Sequence, residues 1–200
     1  MFQGSQGGAH AGRLASFIHV PVDGYYAGAN GEMDWFKDAD KDPEYEAWTH
    51  DQAAGGSTLV FGRTTDDMMK SWWPTQKAID ADPQIAKVVD ESPKLVFSRT
   101  LGGPQEAPNW KNVTIVHEID EKEMKRRKDE VERDLTILGS GPVVQQLSNL
   151  DLVEEYDQVV VPVVLGEGKA LFGDVKQKTL KLAKLRAFKN GLTLLRYASS

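Results

Sequence analysis

Short apolar runs alternate with helix-type segments along most of the chain, and this alternation constrains the fold more than any other feature. The runs include Thr58–Phe61, Lys94–Ser98, Val113–His117 and Leu135–Leu138. Strands separated by helices are joined by crossovers, which favour a mainly parallel sheet with helices on both faces. Near the C-terminal end, Asn190-Gly191 separates two further apolar runs and predicts a hairpin. The predicted fold class is therefore α/β, with three α/β/α layers and antiparallel C-terminal edge strands.

Local signals place the remaining elements. Asp42-Pro43-Glu44 combines an N-cap residue, a first-turn proline and an acidic first turn, so it predicts a helix that ends at Gly55-Gly56. The nearly continuous valine run Val159–Leu165 predicts a strand that is buried on both faces. The other predicted strands are Leu14–Val22, Leu180–Lys189 and Leu192–Ala198. The other predicted helices are Thr64–Trp72, Pro83–Glu91, 120–133 (Met124 and Val131 inward) and Val143–Leu150.

Composition excludes several classes of function. The net charge of -6 argues against a general nucleic-acid-binding protein, which would normally carry a basic surface. The absence of cysteine excludes disulfides, thiolate nucleophiles and cysteine-ligated zinc, and no metal-ligand spacing stands out. No apolar run is long enough to span a bilayer, and the first residues do not resemble a secretory signal. A cytoplasmic location without a membrane partner is expected.

The N-terminal segment differs in composition from the rest of the chain. Residues 1–12, MFQGSQGGAHAG, are rich in glycine and show no periodicity. We interpret them as a flexible tail or a cloning remnant. Residues 13–200 are then expected to form one domain, since an α/β domain of this size can bury a full core.

Two strand ends carry an arginine among hydroxyl side chains. In the first, Gly62 allows close approach of the backbone, Arg63 supplies a guanidinium, and Thr64 or Thr65 can cap the following helix. The second is Ser98-Arg99-Thr100, which suits a phosphate monoester. Each segment alone is equally well explained by a surface arginine beside a capped turn.

A third strand end has a glycine-rich turn. Leu138 is followed by Gly139-Ser140-Gly141-Pro142 and by the predicted helix that starts at Val143. Backbone N–H groups of such a turn can hold a pyrophosphate. Taken in isolation, the segment is also explained by a tight strand-to-helix connection.

Taken in order, these segments resemble the dihydrofolate-reductase-like superfamily, and most of all the C-terminal reductase domain of the riboflavin-biosynthesis deaminase-reductase. The likeness runs from Leu14 to the C-terminus. The matching stretches are Val22-Asp23-Gly24-Tyr25-Tyr26-Ala27-Gly28, Gly31-Glu32-Met33-Asp34-Trp35-Phe36, Gly62-Arg63-Thr64-Thr65-Asp66-Asp67-Met68-Met69 with Trp73-Pro74, and Val161-Pro162-Val163-Val164-Leu165-Gly166-Glu167-Gly168 with Leu171-Phe172. No zinc-deaminase signature accompanies them, so only the reductase half is expected.

The resemblance implies NADPH as the cofactor and a small heterocyclic substrate. Asp23 and Gly24 would close a loop over the nicotinamide. The residues implied in cofactor binding are Gly62, Arg63, Thr64, Thr65, Ser98, Arg99, Thr100, Leu138, Gly139, Ser140, Gly141, Pro142 and Val143. Many relatives carry a second basic residue where Thr64 stands, and Asp66 and Asp67 add negative charge nearby.

The catalytic and substrate-binding residues are less clearly marked by the sequence. Asp23, by its loop, and Glu46, by its distance from Gly62, are the candidate catalytic carboxylates. Glu32, Asp34, Glu44 and Asp51 remain alternatives, so no single proton donor is identified. His19 and Trp35 are candidates for the substrate pocket.

Several functions are compatible with these sequence features. The resemblance implies an NADPH-dependent reductase of a pterin-like or ribosylated aminopyrimidine substrate, of the 5-amino-6-(5-phosphoribosylamino)uracil reductase type. The alternatives are a dihydrofolate-reductase-like activity, a non-catalytic nucleotide- or pterin-binding protein on the same fold, and use of a flavin or deazaflavin carrier. Relatives often form homodimers, so a homodimer is a further expectation.

Overall fold

The strands of the computed structural model form one large sheet and one small one. The structure describes residues 12–36, 41–103, 110–131 and 133–200. The strands are β1 Leu14–Pro21, β2 Tyr25–Ala27, β3 Thr58–Gly62, β4 Lys94–Phe97, β5 Val113–Val116, β6 Leu135–Ile137, β7 Glu155–Val161, β8 Lys169–Ala170, β9 Leu180–Ala187 and β10 Thr193–Ser199. The large sheet has eight strands in the order β5-β4-β3-β6-β1-β7-β10-β9, and β2 pairs with β8.

Helices lie between most of the strands. They are α1 Pro43–Ala54, α2 Arg63–Trp72, α3 Gln76–Ala81, α4 Pro83–Glu91, α5 Glu121–Glu130 and α6 Gly141–Asn149, and a 3-10 turn covers Asp34–Phe36. Asp42 caps α1 through its carboxylate, which accepts hydrogen bonds from the backbone N–H groups of Glu44 and Tyr45. The predicted capping of this helix is therefore confirmed.

The sheet is parallel from β5 to β7 and antiparallel at its C-terminal end. β3 pairs in parallel with β4 and β6, and β1 pairs in parallel with β6 and β7. β10 pairs antiparallel with β7 and with β9. Because parallel strands end on the same side, the carboxyl ends of β4, β3, β6 and β1 lie side by side along one edge. This edge carries the three segments predicted to bind phosphates.

Side chains of β1 alternate between the two faces of the sheet. Leu14 and Ile18 belong to a buried cluster with Met124 of α5 and Leu147 of α6. Phe17 instead packs with the α1 side on the opposite face. The α2 side chain Met69 also lies on that opposite face, against a cluster that includes Phe61 and Trp110. The arrangement is the predicted three-layer α/β/α fold.

Some predicted boundaries are corrected. The valine-rich strand is Glu155–Val161 rather than Val159–Leu165. It ends where Pro162, which has no N–H, interrupts the ladder. α3 and the small β2–β8 sheet were not predicted, because elements of two to six residues have too little periodicity to detect.

The start of the folded domain also differs from the expectation. Of the predicted tail, residues 1–11 lie outside the described residues. Gly12 is buried, and its N–H donates to the carbonyl of Lys128 at 2.8 Å. A Cβ on Gly12 would lie 2.6 Å from the Val131 side chain, so Gly12 belongs to the packed structure.

Removal of the α1 cap should destabilise the protein. One Asp42 oxygen accepts from Glu44 N at 2.8 Å and Tyr45 N at 3.0 Å, and the other accepts from Asn190 N at 3.2 Å. We expect Asp42→Ala to lower the free energy of unfolding in urea by about 1–2 kcal/mol. Asp42→Asn keeps one acceptor oxygen and should cost clearly less. Equal losses in the two variants would contradict a capping role.

Candidate functional site

Hydrogen bonds join the three predicted phosphate-binding segments at one edge of the sheet, and we call this edge the crevice. The N–H of Gly62, at the end of β3, donates to the carbonyl of Gly139 after β6 at 3.1 Å. The Arg63 guanidinium donates to the Thr100 hydroxyl after β4 at 2.9 Å. The structure therefore brings these segments together at the carboxyl edge of adjacent strands.

Glycine is required where the β3 and β6 ends meet. A Cβ on Gly62 would lie 2.5 Å from Ser140 Oγ, and one on Gly139 would lie 2.8 Å from Thr65 Oγ1. Gly139 also has φ 140, and its peptide bond to Ser140 is cis. No side chain fits at either position without displacing its neighbour. The β3 and β6 ends therefore pack directly against each other.

Two helices begin in this crevice without a side-chain cap. α2 starts at Arg63 after Gly62, α6 starts at Gly141 after Ser140, and neither N-cap residue makes a side-chain capping bond. The expectation that Thr64 or Thr65 caps α2 is therefore wrong, because the helix begins before both. Uncapped first-turn N–H groups and the positive end of the helix dipole favour an anion at this position.

The segment after β4 combines a buried hydroxyl with an exposed arginine. Ser98 is buried, and its Oγ accepts from the backbone N–H of Leu101 at 3.2 Å and more weakly from Thr100 N at 3.4 Å. Arg99 and Thr100 are exposed. Ser98 thus holds the turn, and Arg99 is the charged group that the turn presents.

The acidic residues near Arg63 point in different directions. Asp66 is buried and accepts a hydrogen bond from Trp110 Nε1 at 3.2 Å, and its burial raises the pKa of the carboxyl. Asp67 is exposed and lies 3.5 Å from Arg63 Nε. The Asp67 carboxylate would therefore compete with a bound phosphate for the Arg63 guanidinium, whereas the Asp66 carboxylate faces the protein interior.

Tyr26 is a crevice residue that the sequence interpretation missed. β2 places its ring against Gly141, so closely that a Cβ at Gly141 would overlap the ring. Burial raises the pKa of the Tyr26 hydroxyl. An aromatic residue inside the matched Asp23–Gly28 motif was the signal that could have identified it.

The two candidate catalytic carboxylates lie in different environments. Asp23 Oδ2 accepts from the backbone N–H groups of Leu165 at 2.9 Å and Gly166 at 2.8 Å, so it ties the loop after β1 to the loop after β7. Glu46 is exposed on α1, whose buried side chains are Tyr45 and Trp48. No hydrogen bond within the described residues links the Glu46 side chain to the crevice.

His19 and Trp35 meet in a group of rings between β1 and α1. We call this group the aromatic cluster: Phe17, His19, Trp35, Phe36, Tyr45, Trp48 and Phe188. His19 Nε2 is hydrogen-bonded to the Tyr45 hydroxyl, and the Phe36 ring lies 4.3 Å from the imidazole. Burial lowers the pKa of His19 to about 3, so the imidazole is neutral near pH 7.

Comparison with known proteins assigns the chain to a family. The RibD C-terminal domain family matches residues 14–194. The chain belongs to this family. The chain is also 31% identical over 186 residues to the protein YyaP of Bacillus subtilis (strain 168), which covers 92% of this chain and 94% of YyaP. The family resemblance seen in the motifs is thus confirmed.

Solved structures of reductases share the fold. The deaminase/5-amino-6-(5-phosphoribosylamino)uracil reductase of Thermotoga maritima aligns with a TM-score of 0.63 and 14% identity, over 95% of this chain and 57% of that one. Dihydrofolate reductase from Enterococcus faecalis, complexed with NADP(H), aligns with a TM-score of 0.57 and 15% identity, over 95% and 98%. At these identities the likeness shows the family fold.

None of the helices in the described part of the chain has the length and apolar character needed to cross a membrane. In that part of the chain, no group of His, Asp and Glu side chains is arranged to hold a metal ion.

The buried imidazole should make stability depend on pH. Unfolded His19 takes up a proton below its ordinary pKa of 6.5, whereas the folded residue resists protonation down to about 3. The free energy of unfolding should therefore fall as pH decreases from about 6.5 toward 3, by up to about 1.4 kcal/mol per pH unit from this group. Urea unfolding at several pH values should show a shallower slope for His19→Gln.

The control for this prediction is Tyr45→Phe, which removes the hydrogen bond but keeps the titrating ring. Its unfolding free energy should be lower than that of the wild type while the slope between pH 6.5 and 4 persists. Identical slopes in wild type and His19→Gln would show that the folded imidazole titrates normally.

The contact between Tyr26 and Gly141 predicts a coupled pair of substitutions. Gly141→Ala forces the Tyr26 ring to move, so the free energy of unfolding should fall by about 1–3 kcal/mol. In a Tyr26→Ala background the same substitution has room and gains helix propensity, so it should be neutral or stabilising. Denaturant unfolding of the four proteins measures the coupling. Additive effects would contradict the close contact.

Proposed function

We propose that this protein is an NADPH-dependent reductase of a pterin-like or ribosylated aminopyrimidine substrate. The observation that carries the proposal is the convergence of two uncapped helix N-termini with Arg63 and Arg99 at one sheet edge. Membership of the RibD C-terminal domain family supports the same class of activity. The NADP(H) complex of a dihydrofolate reductase with this fold supports the choice of cofactor.

The order of the strands suggests how a dinucleotide would lie in the crevice. Arg99 and Thr100, on the turn that Ser98 holds at the end of β4, would receive the adenosine 2′-phosphate. The backbone N–H groups of Arg63–Thr65 and Gly139–Gly141 would hold the pyrophosphate, because those of Gly62, Leu138 and Val143 are already bonded within the protein. The glycine contacts fit this role because they keep the β3 and β6 ends side by side.

The reacting ring would then lie toward β1, the next strand along the edge. When bound, NADPH supplies a hydride. We assign Asp23 a positioning role, because its hydrogen bonds hold the loop after β1 against the loop after β7. Glu46 would need to reach the crevice from the exposed side of α1 to act as an acid. We therefore propose that solvent water delivers the proton that accompanies the hydride.

A second candidate function is a binding protein without catalysis. It is favoured by the environments of Asp23, which is engaged by backbone N–H groups, and Glu46, which faces solvent. The discriminating measurement is NADPH oxidation at 340 nm with dihydropterin, dihydrofolate and aminopyrimidine nucleotides. Turnover with any of them excludes this candidate, and binding without turnover supports it.

The cofactor proposal predicts selective loss of NADPH affinity when Arg99 is replaced. A contact between a guanidinium and a phosphate contributes about 1.5–3 kcal/mol, so Arg99→Ala should weaken NADPH binding roughly 10-fold to 100-fold. NADH lacks the 2′-phosphate, and its affinity should not change. Arg63→Ala should weaken both, because the pyrophosphate is common to them. Titration followed by cofactor fluorescence gives the dissociation constants.

Arg133→Ala is the matched control. Arg133 is exposed and precedes β6, so it lies at the amino end of the strand, opposite the crevice. This variant should bind both cofactors as the wild type does. Absence of NADPH binding at millimolar concentration in the wild-type protein would overturn the cofactor proposal.

A further inference from the structure

The substrate end of the crevice differs in chemistry from its phosphate end. β1 pairs with β6 so that Ser16 lies opposite Ile137. His19, farther along β1, therefore lies toward the same edge as Gly139, which follows Ile137. On the proposed function, a dinucleotide spread over β4, β3 and β6 directs its reacting ring toward β1. The aromatic cluster borders that end on the α1 face.

The cluster is built from uncharged rings. The imidazole of His19 is neutral, and the other members are phenylalanine, tyrosine and tryptophan. The Nε1 group of Trp35 is buried and has no hydrogen-bond partner within the described residues. Trp35 is itself half-buried, in the 3-10 turn beside His19 and Phe36. An unpaired indole N–H can donate to an acceptor on a bound molecule.

Two exposed carboxylates adjoin cluster residues in the sequence: Asp34 precedes Trp35, and Glu46 follows Tyr45. Arg186 packs over the Phe188 ring at 4.8 Å, but its guanidinium is held by Glu44 at 2.8 Å. The Arg186 guanidinium is thus already paired with a carboxylate.

The contrast with the other end of the crevice indicates what each end binds. Arg63 and Arg99 stand at the β3 and β4 ends, where phosphates are expected. At the aromatic end, a phosphate monoester would enter a region with acidic neighbours and no free described cation in contact with the rings. A negative charge placed there without a compensating partner is unfavourable.

We propose that the aromatic end binds an uncharged, planar, acceptor-bearing heterocycle and disfavours a substrate that carries a phosphate group. Trp35 Nε1 donates to an acceptor at the ring edge, and the His19–Tyr45 pair supplies a neutral polar contact beside it. The inference rests on the proposed function, because that function places the reacting ring at this end. It separates this chain from reductases whose named substrate is phosphoribosylated, such as the Thermotoga maritima protein.

The test compares two ligands that differ by one phosphate. The probes are 5-amino-6-(5-phosphoribosylamino)uracil and its dephosphorylated ribosyl form, each titrated calorimetrically into the protein with and without saturating NADP⁺. We expect the dephosphorylated probe to bind at least ten-fold more tightly. Equal affinity, tighter binding of the phosphate, or no binding of either probe to protein loaded with NADP⁺ would each overturn the inference.

Substitutions locate the effect at the aromatic end. Trp35→Phe should weaken binding of the dephosphorylated probe about ten-fold and leave NADP⁺ affinity unchanged, because it removes the donor and keeps an aromatic ring. Trp72→Phe is the matched control, since Trp72 is exposed on α2, and it should bind both as the wild type does. Asp34→Lys should improve binding of the phosphorylated probe by reversing a charge beside Trp35. Unchanged probe affinity in both Trp35→Phe and Asp34→Lys would overturn the assignment.

The outcomes also separate this inference from the cofactor proposal. If NADP⁺ and NADPH fail to bind but the dephosphorylated probe retains its preference and its dependence on Trp35, the cofactor proposal fails and the ring site stands. If the cofactors bind as expected but the probes show no preference, the cofactor proposal stands and the ring site fails.

Discussion

Parallel pairing of β3 with β4 on one side and β6 on the other is the constraint on which the crevice depends. It sets three strand ends at one edge, where the bond from Gly62 N to Gly139 O joins two of them and the bond from Arg63 to Thr100 joins the third. A Cβ at Gly62 or Gly139 would collide with its neighbour, so glycine is needed for the β3 and β6 ends to pack together. The shared edge thus follows from strand pairing, glycine sterics and one bond between side chains.

The two ends of the crevice differ because different segments of the chain lie beside them. α2 and α6 turn their free N-termini to the edge and favour negative charge there. Beyond β6, the described residues between β1 and α1 bring the rings of Trp35 and Phe36 and the carboxylate of Asp34. His19 stays neutral because it is buried among these rings. One continuous edge therefore offers a cationic environment at one end and an apolar, hydrogen-bonding environment at the other.

Much of the fold could be predicted because its signals are local. Asp42 before Pro43 marks the start of α1, and Asn190-Gly191 marks the hairpin, since capping and turn geometry depend on neighbouring residues. The end of the valine-rich strand was placed too late because hydrophobicity continues past Pro162 while the hydrogen-bond ladder does not. The small β2–β8 sheet escaped prediction because its strands are short and their partners are distant in sequence.

The sequence by itself determined the α/β alternation, the glycine and arginine residues at three strand ends, and their order, because each depends on residues close together in the chain. Only the tertiary structure decided that Ser98 and Asp66 turn inward while Arg99 faces solvent, and that Tyr26 covers Gly141. These outcomes depend on which surfaces meet when distant segments pack. A local sequence pattern does not specify the orientation or the burial of a side chain, because both depend on how the core is assembled.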